Sequence, residues 1–279
     1  MSILKAVLAA AWMGWKREVE WTNPVLSLVI KTVAPAAAVL GVAAVYWFGA
    51  TTSGQFTAET LAYILVGASI YGQVAAYAYV PTAAISEGKW SNLYPQVYIT
   101  PTSSIPYLAG RCLASFADSI PVIAVSLAVS YFVSFALFGI SPTIVVSLQS
   151  VLMLSAALLA SLPATLALGY LLGSYSIFVS RFEWALPSYV SGLLMIFSEA
   201  LFPANILPYP FPLIAYALPF TYLMRASRAA LISCDWSSYV MSLGYLLLGG
   251  FVFLSIGIVA FSLAERSARG RGFIDKKVM

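Results

Sequence analysis

The chain has 279 residues, of which 61% are hydrophobic and only 9% charged, with a mean hydropathy of +0.92, whereas soluble domains carry about 25% charged residues. That composition excludes a soluble catalytic domain and a nucleic-acid binder, and the formal charge of +4 belongs to the ends of membrane spans. Histidine is absent, which removes His-based triads and metal sites, and the two cysteines, Cys112 and Cys234, fall at opposite ends of the predicted layout and make no disulfide framework.

The predicted fold is an all-α membrane protein of one domain, residues 1–279, with six transmembrane helices. Residues 1–22 form an interfacial helix: Leu4, Val7, Leu8, Ala11, Trp12, Trp15 and Val19 recur at helical spacing, and Lys5, Lys16 and Arg17 suit an anionic leaflet. Span one starts at Pro24, a good first helical residue, and runs to about Phe48 with Lys31 in its inner third, where snorkelling to the surface is the structural reading. Span two covers Leu61 to Ile85 and carries Gln73. The segment Ser86 to Arg111 is too polar and proline-broken to span and longer than a hairpin needs. Span three runs from Leu113 to Phe138 with Asp118 inside it. A tight connection, Gly139 to Pro142, leads to span four, Ile144 to Leu172, which holds Gln149.

Span five, Leu186 to about Leu201, is short for a crossing and carries Glu199 near its end. It leads into LFPANILPYPFPLIAYALPFTYLMRASRAAL, apolar enough for lipid but unable to form one clean helix. Pro203, Pro208, Pro210, Pro212 and Pro219 each remove a backbone donor, and Arg225 and Arg228 stand where a span needs apolar residues. Broken helix at membrane depth survives only where protein buries it or water reaches it. Residues 202–234 are therefore expected to fold back rather than cross, as the wall or mouth of a pathway, with the two arginines on an external rim. Span six runs from Tyr239 to Leu263, followed by a tail, residues 264–279, with Arg266, Arg269, Arg271, Lys276 and Lys277.

Of the 14 basic residues, only Arg225 and Arg228 fall outside and Lys31 within a span when the N-terminus is placed inside. That bias puts both termini in the cytoplasm of a cell-membrane protein. Trp12, Trp15, Trp21, Trp47, Trp90, Trp184 and Trp236 sit near predicted boundaries as an interfacial belt.

Chemistry is sparse. No GxxxxGK[ST] loop is present, so the chain has no ATPase motif of its own, and no acidic cluster has metal-ligand spacing. Lys31, Gln73, Asp118, Gln149 and Glu199 are the embedded polar residues, and such groups are functional candidates because burying them is costly. Each also has a plainer reading. Asp118 either pairs with Arg111, about two helical turns away, or meets cargo, and Glu199 either neutralises Arg225 or Arg228 or does the same.

Layout and two local motifs together resemble the permeases of ABC-2 type ATP-binding-cassette exporters. The first motif is an acidic residue leading through a short helix to a Thr-Pro pair and a small residue before span three: Glu87, Thr100, Pro101 and Gly110. The second is Phe202, Pro203, Leu207, Pro208 and Pro212, then Pro219, Thr221, Tyr222 and Arg228. The resemblance implies a cytoplasmic coupling helix within residues 86–101. There Glu87, Lys89, Trp90, Leu93 and Tyr94 would meet an ATPase, while Thr100 and Pro101 turn the chain back. It implies an extracellular gate built from Phe202, Pro203, Pro208, Pro219, Tyr222, Arg225 and Arg228. Two separate ATPase subunits, holding ATP and Mg2+, would drive a pair of permeases, either two copies of this chain or one with a homologous permease, set in membrane lipid. The rival readings are an ATP-independent secondary transporter or channel, and an intramembrane enzyme.

Overall fold

Long apolar runs with few breakers make long helices here, and a cap or a proline sets nearly every boundary. A computed structural model describes residues 3–19, 23–53, 57–91, 96–97, 103–179 and 185–271. Its helices are α1 (Ile3–Val19), α2 (Pro24–Ser53), α3 (Ala58–Trp90), α4 (Ile105–Phe138), α5 (Leu148–Ala160), α6 (Leu162–Phe178), α7 (Ala185–Phe197), α8 (Phe211–Ala217), α9 (Pro219–Arg228) and α10 (Trp236–Arg271). A 3-10 turn, Ala204–Ile206, precedes α8, and a π-helical turn, Ala229–Ser233, follows α9.

Five segments are long and apolar enough to cross a membrane: Val25–Gly49, Ala58–Lys89, Ile105–Leu137, Leu148–Phe178 and Trp236–Gly270. The molecule is thus an all-helical membrane protein among its described residues. The segment predicted as span five is the 13-residue helix α7. At 1.5 Å per residue it covers about 20 Å, against roughly 30 Å of hydrocarbon.

Thr57 caps α3, its hydroxyl accepting from the Thr60 amide at 3.2 Å, and Glu59 complements the helix dipole. This helix is the hub, packing against α2, α4, α6, α7 and α9. Its most apolar window is 78% buried, against 22% to 24% for α2, α4 and α10. Those peripheral helices therefore turn apolar side chains outward, among them Val33 and Phe48 on α2, Phe132 on α4, and Leu248 and Val259 on α10. Faces that apolar fit lipid or another membrane-embedded surface.

Several expected boundaries move. Residues 86–90 are the last turns of α3 itself, so the segment expected to couple to an ATPase starts as an extension of span two. Leu93, Tyr94, Thr100 and Pro101 lie outside the described residues, as do Arg181, Lys276 and Lys277. The return after α4 is not tight. Residues 140–147 belong to no helix or strand; the Ile144 amide turns back to the Pro142 carbonyl at 2.8 Å, and the Val145 amide bonds the Leu231 carbonyl at 2.7 Å. Span four starts later, at Leu148 behind the Ser147 cap, and breaks at Ser161, where Pro163 opens α6.

Helix α1 is seated along the first half of α4. Gly110 makes this possible: a Cβ there would lie 2.5 Å from the Val7 carbonyl oxygen and 2.6 Å from the Ala10 Cβ. The opposite face of α1 exposes Ile3, Leu4, Leu8 and Trp12.

Candidate functional site

Proline placement explains the broken segment after α7. Pro212 and Pro219 occupy the first turns of α8 and α9, where a missing amide costs nothing. Glu199 ends the preceding turn with φ of 57°, in the left-handed region that non-glycine residues seldom adopt. That turn delivers its carboxylate inward. Glu199 is buried, accepts from the Ala204 amide at 3.0 Å, and receives Arg225 through two bonds, Nε at 2.7 Å and Nη2 at 2.6 Å. Such a fork-on-carboxylate pair is among the stronger hydrogen-bonded contacts. It holds Arg225 protonated well above the usual arginine range. The Arg225 guanidinium also lies over the Tyr216 ring, 5.1 Å from its centroid, and Tyr222 anchors to the Tyr216 carbonyl at 3.0 Å.

Arg228 is buried in the fold rather than exposed on a rim. It is only 7% exposed, because α9 lays it against α3. Its Nε donates to the Tyr63 carbonyl at 3.3 Å, its Nη2 to the Ala200 carbonyl at 2.8 Å, and its guanidinium carbon sits 3.4 Å from the Tyr63 ring centroid. Gly67 is the residue that admits it: a Cβ there would fall 1.9 Å from the Ala200 oxygen and 2.3 Å from Arg228 Nη2. Nη1 is buried with no hydrogen-bond partner among the described residues. Burial pushes this guanidinium down to about 10, the nearby Tyr63 and Glu199 opposing it only in part. Both arginines and Glu199 line a cavity of about 570 Å³, together with Tyr63, Asn205 and Ser242.

A second cluster lies deeper, between α2, α3 and α4. Lys31 Nζ bonds Asp118 Oδ2 at 2.6 Å, with both side chains about a quarter exposed. This corrects two expectations: Lys31 does not snorkel, and Asp118 does not pair with Arg111. The packing of α2 on α4 supplies a nearer cation. Gln73 donates to the Tyr77 hydroxyl at 2.6 Å, which lies 3.1 Å from the Ser119 hydroxyl. The Gln73 carbonyl oxygen and the Ser69 hydroxyl are buried without hydrogen-bond partners among the described residues. Lys31, Gln73 and Asp118 thus share one cavity of about 250 Å³ rather than standing isolated. Gln149 takes no part, being exposed in the first turn of α5.

At the C-terminal end of α3, Glu87 meets Arg17 of α1 at 3.0 Å and Arg111 of α4 at 3.3 Å, a three-helix junction. Lys89 donates to the Ser176 and Ile177 carbonyls, at 2.9 Å and 3.0 Å, closing the end of α6. Both side chains are engaged within the chain. Of the remaining residues read from the sequence, Trp90 ends α3, and Phe202 and Pro203 line an apolar cavity of about 690 Å³ beside Tyr63. Pro208 accepts the Phe211 amide at 3.0 Å, and Pro219 opens α9. Sequence reading missed Tyr63 and Gly67, and it gave Arg17 to the leaflet where the structure pairs it with Glu87. Gly67 and Tyr63 sit in an unremarkable apolar helix, and their importance arises only from α9 crossing it. A scan against protein-family models finds no match to this chain, and no curated protein sequence matches it.

Proposed function

We propose that the chain is the membrane-spanning permease subunit of an exporter of the ABC-2 type, paired with a second permease and driven by two separate ATPase subunits. The observation that carries this reading is the spacing of charge along α3. Arg228 engages the helix beside Gly67, while Glu87, twenty residues on, gathers Arg17 and Arg111. At 1.5 Å per residue the two clusters stand about 30 Å apart, the thickness of the hydrocarbon layer. One end of the hub helix thus reaches a proline-broken wall, and the other a junction with an amphipathic helix, as an ATP-coupled pathway needs.

In this reading the Glu87 end is cytoplasmic, with Lys89 and Trp90 bracing the coupling segment that Leu93, Tyr94, Thr100 and Pro101 continue. The segment from Phe202 through Arg228 closes the outer end as a re-entrant gate, α7 with its following turns serves as the sixth crossing, and both termini face the cytoplasm of a cell membrane. Coupling then consists of ATPase closure shifting a two-state element at the inner end.

Co-purification with the neighbouring ATPase tests it. Glu87→Arg and Leu93→Asp are expected to lose complex formation or ATPase stimulation; unchanged behaviour of both variants sinks the ATPase reading. Cysteines replacing Arg225 should label from outside only, and labelling solely from the cytoplasm overturns the orientation. The Lys31, Gln73 and Asp118 cavity favours a second reading, an ion-coupled transporter. That reading predicts uptake or efflux in proteoliposomes without any ATPase, driven by a proton or cation gradient.

A further inference from the structure

Three features beside the broken segment point to a ligand. Arg228 is a buried cation whose Nη1 has no hydrogen-bond partner among the described residues. Glu199 does not hydrogen-bond it, its carboxylate being held by Arg225 and the Ala204 amide. The described wall of the 570 Å³ cavity therefore carries two guanidinium groups and one carboxylate, a net positive charge, with the buried Ser242 and the exposed Asn205 beside them. Asp235, the nearest other acid along the chain, is fully exposed and engaged by the Ser237 amide and the Ser238 hydroxyl. A buried guanidinium that the Tyr63 ring and Glu199 offset only in part attracts an anion.

The neighbouring cavity supplies the second half of the argument. It shares Tyr63 and Pro203 with the first, has about 690 Å³, and is walled by Val42, Val45, Leu201, Phe202 and Ile206, with Glu59 at its edge. A charged cavity that shares two wall residues with an apolar one suits a molecule with an anionic head and a hydrocarbon tail.

We infer that this double cavity binds a phosphate-bearing amphiphile, its phosphate lying against the Arg225 and Arg228 side chains and the Ser242 hydroxyl and its tail lying along Phe202 and Ile206. The site stands apart from the ATPase reading and needs no partner subunit. Its test is thermal melting of the full chain in neutral detergent, without ATPase, titrated with three probes: dihexanoyl phosphatidic acid, dihexanoylglycerol and inorganic phosphate. The phosphatidic acid is expected to raise the midpoint by about 5 °C at saturation, the size that ligand binding to the folded state gives. The other two are expected to leave it unchanged at the same concentration.

Arg228→Gln and Ile206→Asp should abolish the response. Ser242→Asp places a carboxylate in the cavity, and it should melt at or above the wild type and respond to none of the probes, which keeps the test readable if Arg228→Gln does not fold. The inference is overturned by no shift with phosphatidic acid, by an equal shift with dihexanoylglycerol, or by an undiminished response in Ser242→Asp. An equal shift with inorganic phosphate also overturns it, reducing the site to a free-anion site without a tail.

Discussion

Gly67→Ala adds one methyl group at the point where α3, α9 and the turn after α7 converge. The new Cβ would stand 1.9 Å from the Ala200 carbonyl oxygen and 2.3 Å from Arg228 Nη2, where ordinary contact begins at 3.4 Å. Relief requires a displacement of about 1.5 Å, the difference between 3.4 and 1.9. The near atoms are a backbone oxygen and a guanidinium held on two carbonyls, so neither is a free end that swings aside. Overpacking of this kind costs roughly 1–3 kcal/mol. Moving either group also breaks the 2.8 Å bond from Arg228 to Ala200, and a hydrogen bond to a charged group contributes about 1.5–3 kcal/mol. Together the loss is about 2.5–6 kcal/mol, a fall in melting midpoint on the order of 10 °C for a chain of this size. Gly41→Ala, on α2 with nothing within 4 Å of its added carbon, is the matched control. It should stay within about 1 kcal/mol of wild type, since alanine is the better helix former. Melting of both variants in the same detergent decides the matter. A Gly67→Ala midpoint within about 2 °C of the Gly41→Ala midpoint refutes the packing of Arg228 against α3.

Arg225→Gln should destabilise more than Glu199→Gln, because the first strands a carboxylate that is 4% exposed and the second leaves an arginine that is 38% exposed and reaches water; about 1–3 kcal/mol is expected for Glu199→Gln, below the usual cost of breaking a fully buried pair. Chemical unfolding of the two variants that ranks them in the opposite order would count against the burial of Glu199. For Lys31 and Asp118, a double-mutant cycle with Lys31→Met and Asp118→Leu should give a coupling of about 1–3 kcal/mol, the double variant being more stable than the additive sum of the singles. Additive behaviour would mean that the 2.6 Å pair does not form. Gly110→Val should release α1 from α4, because its side chain collides with the Val7 carbonyl, and limited proteolysis should then cut within residues 3–19 faster than in wild type.

How much of this was legible depends on the range of the interaction. The apolar lengths of α2, α3, α4 and α10 follow from hydropathy alone, and their placement agrees with the predicted spans to within several residues. Pairings between helices are a different matter. Lys31 and Asp118 are 87 residues apart, and nothing local distinguishes a snorkelling lysine from a paired one. Arg111 was the nearer partner for Asp118 along the sequence, but Glu87 claims it across the junction with α1. Glu199 and Arg225 lie only 26 residues apart within one proline-rich segment, which is why an acid there could be read as a neutraliser in advance. Arg228 looked exposed because charge on an amphipathic turn normally is. Its burial depends on Gly67, 161 positions earlier, lacking a side chain.

The three clusters share one helix, and that arrangement has a mechanical consequence. Gly67 fixes the first part of α3 under Arg228, Gln73 faces the Lys31 and Asp118 cavity, and Glu87 closes the far end. Between Gln73 and Glu87 stands Pro81, whose ring removes the amide that would bond the Tyr77 carbonyl. The helical ladder is thus weakest between the mid-depth cavity and the junction with α1. A force applied at Glu87 therefore meets its most compliant point before it reaches the Lys31 and Asp118 pair, and bending there is easier than sliding the whole hub. The Arg228 end, by contrast, is tied to α7, α9 and the turn at Ala200. In the proposed exporter, coupling between the two ends would run past the polar cavity at Gln73, where the orphaned Gln73 oxygen and Ser69 hydroxyl leave room for a second arrangement of hydrogen bonds.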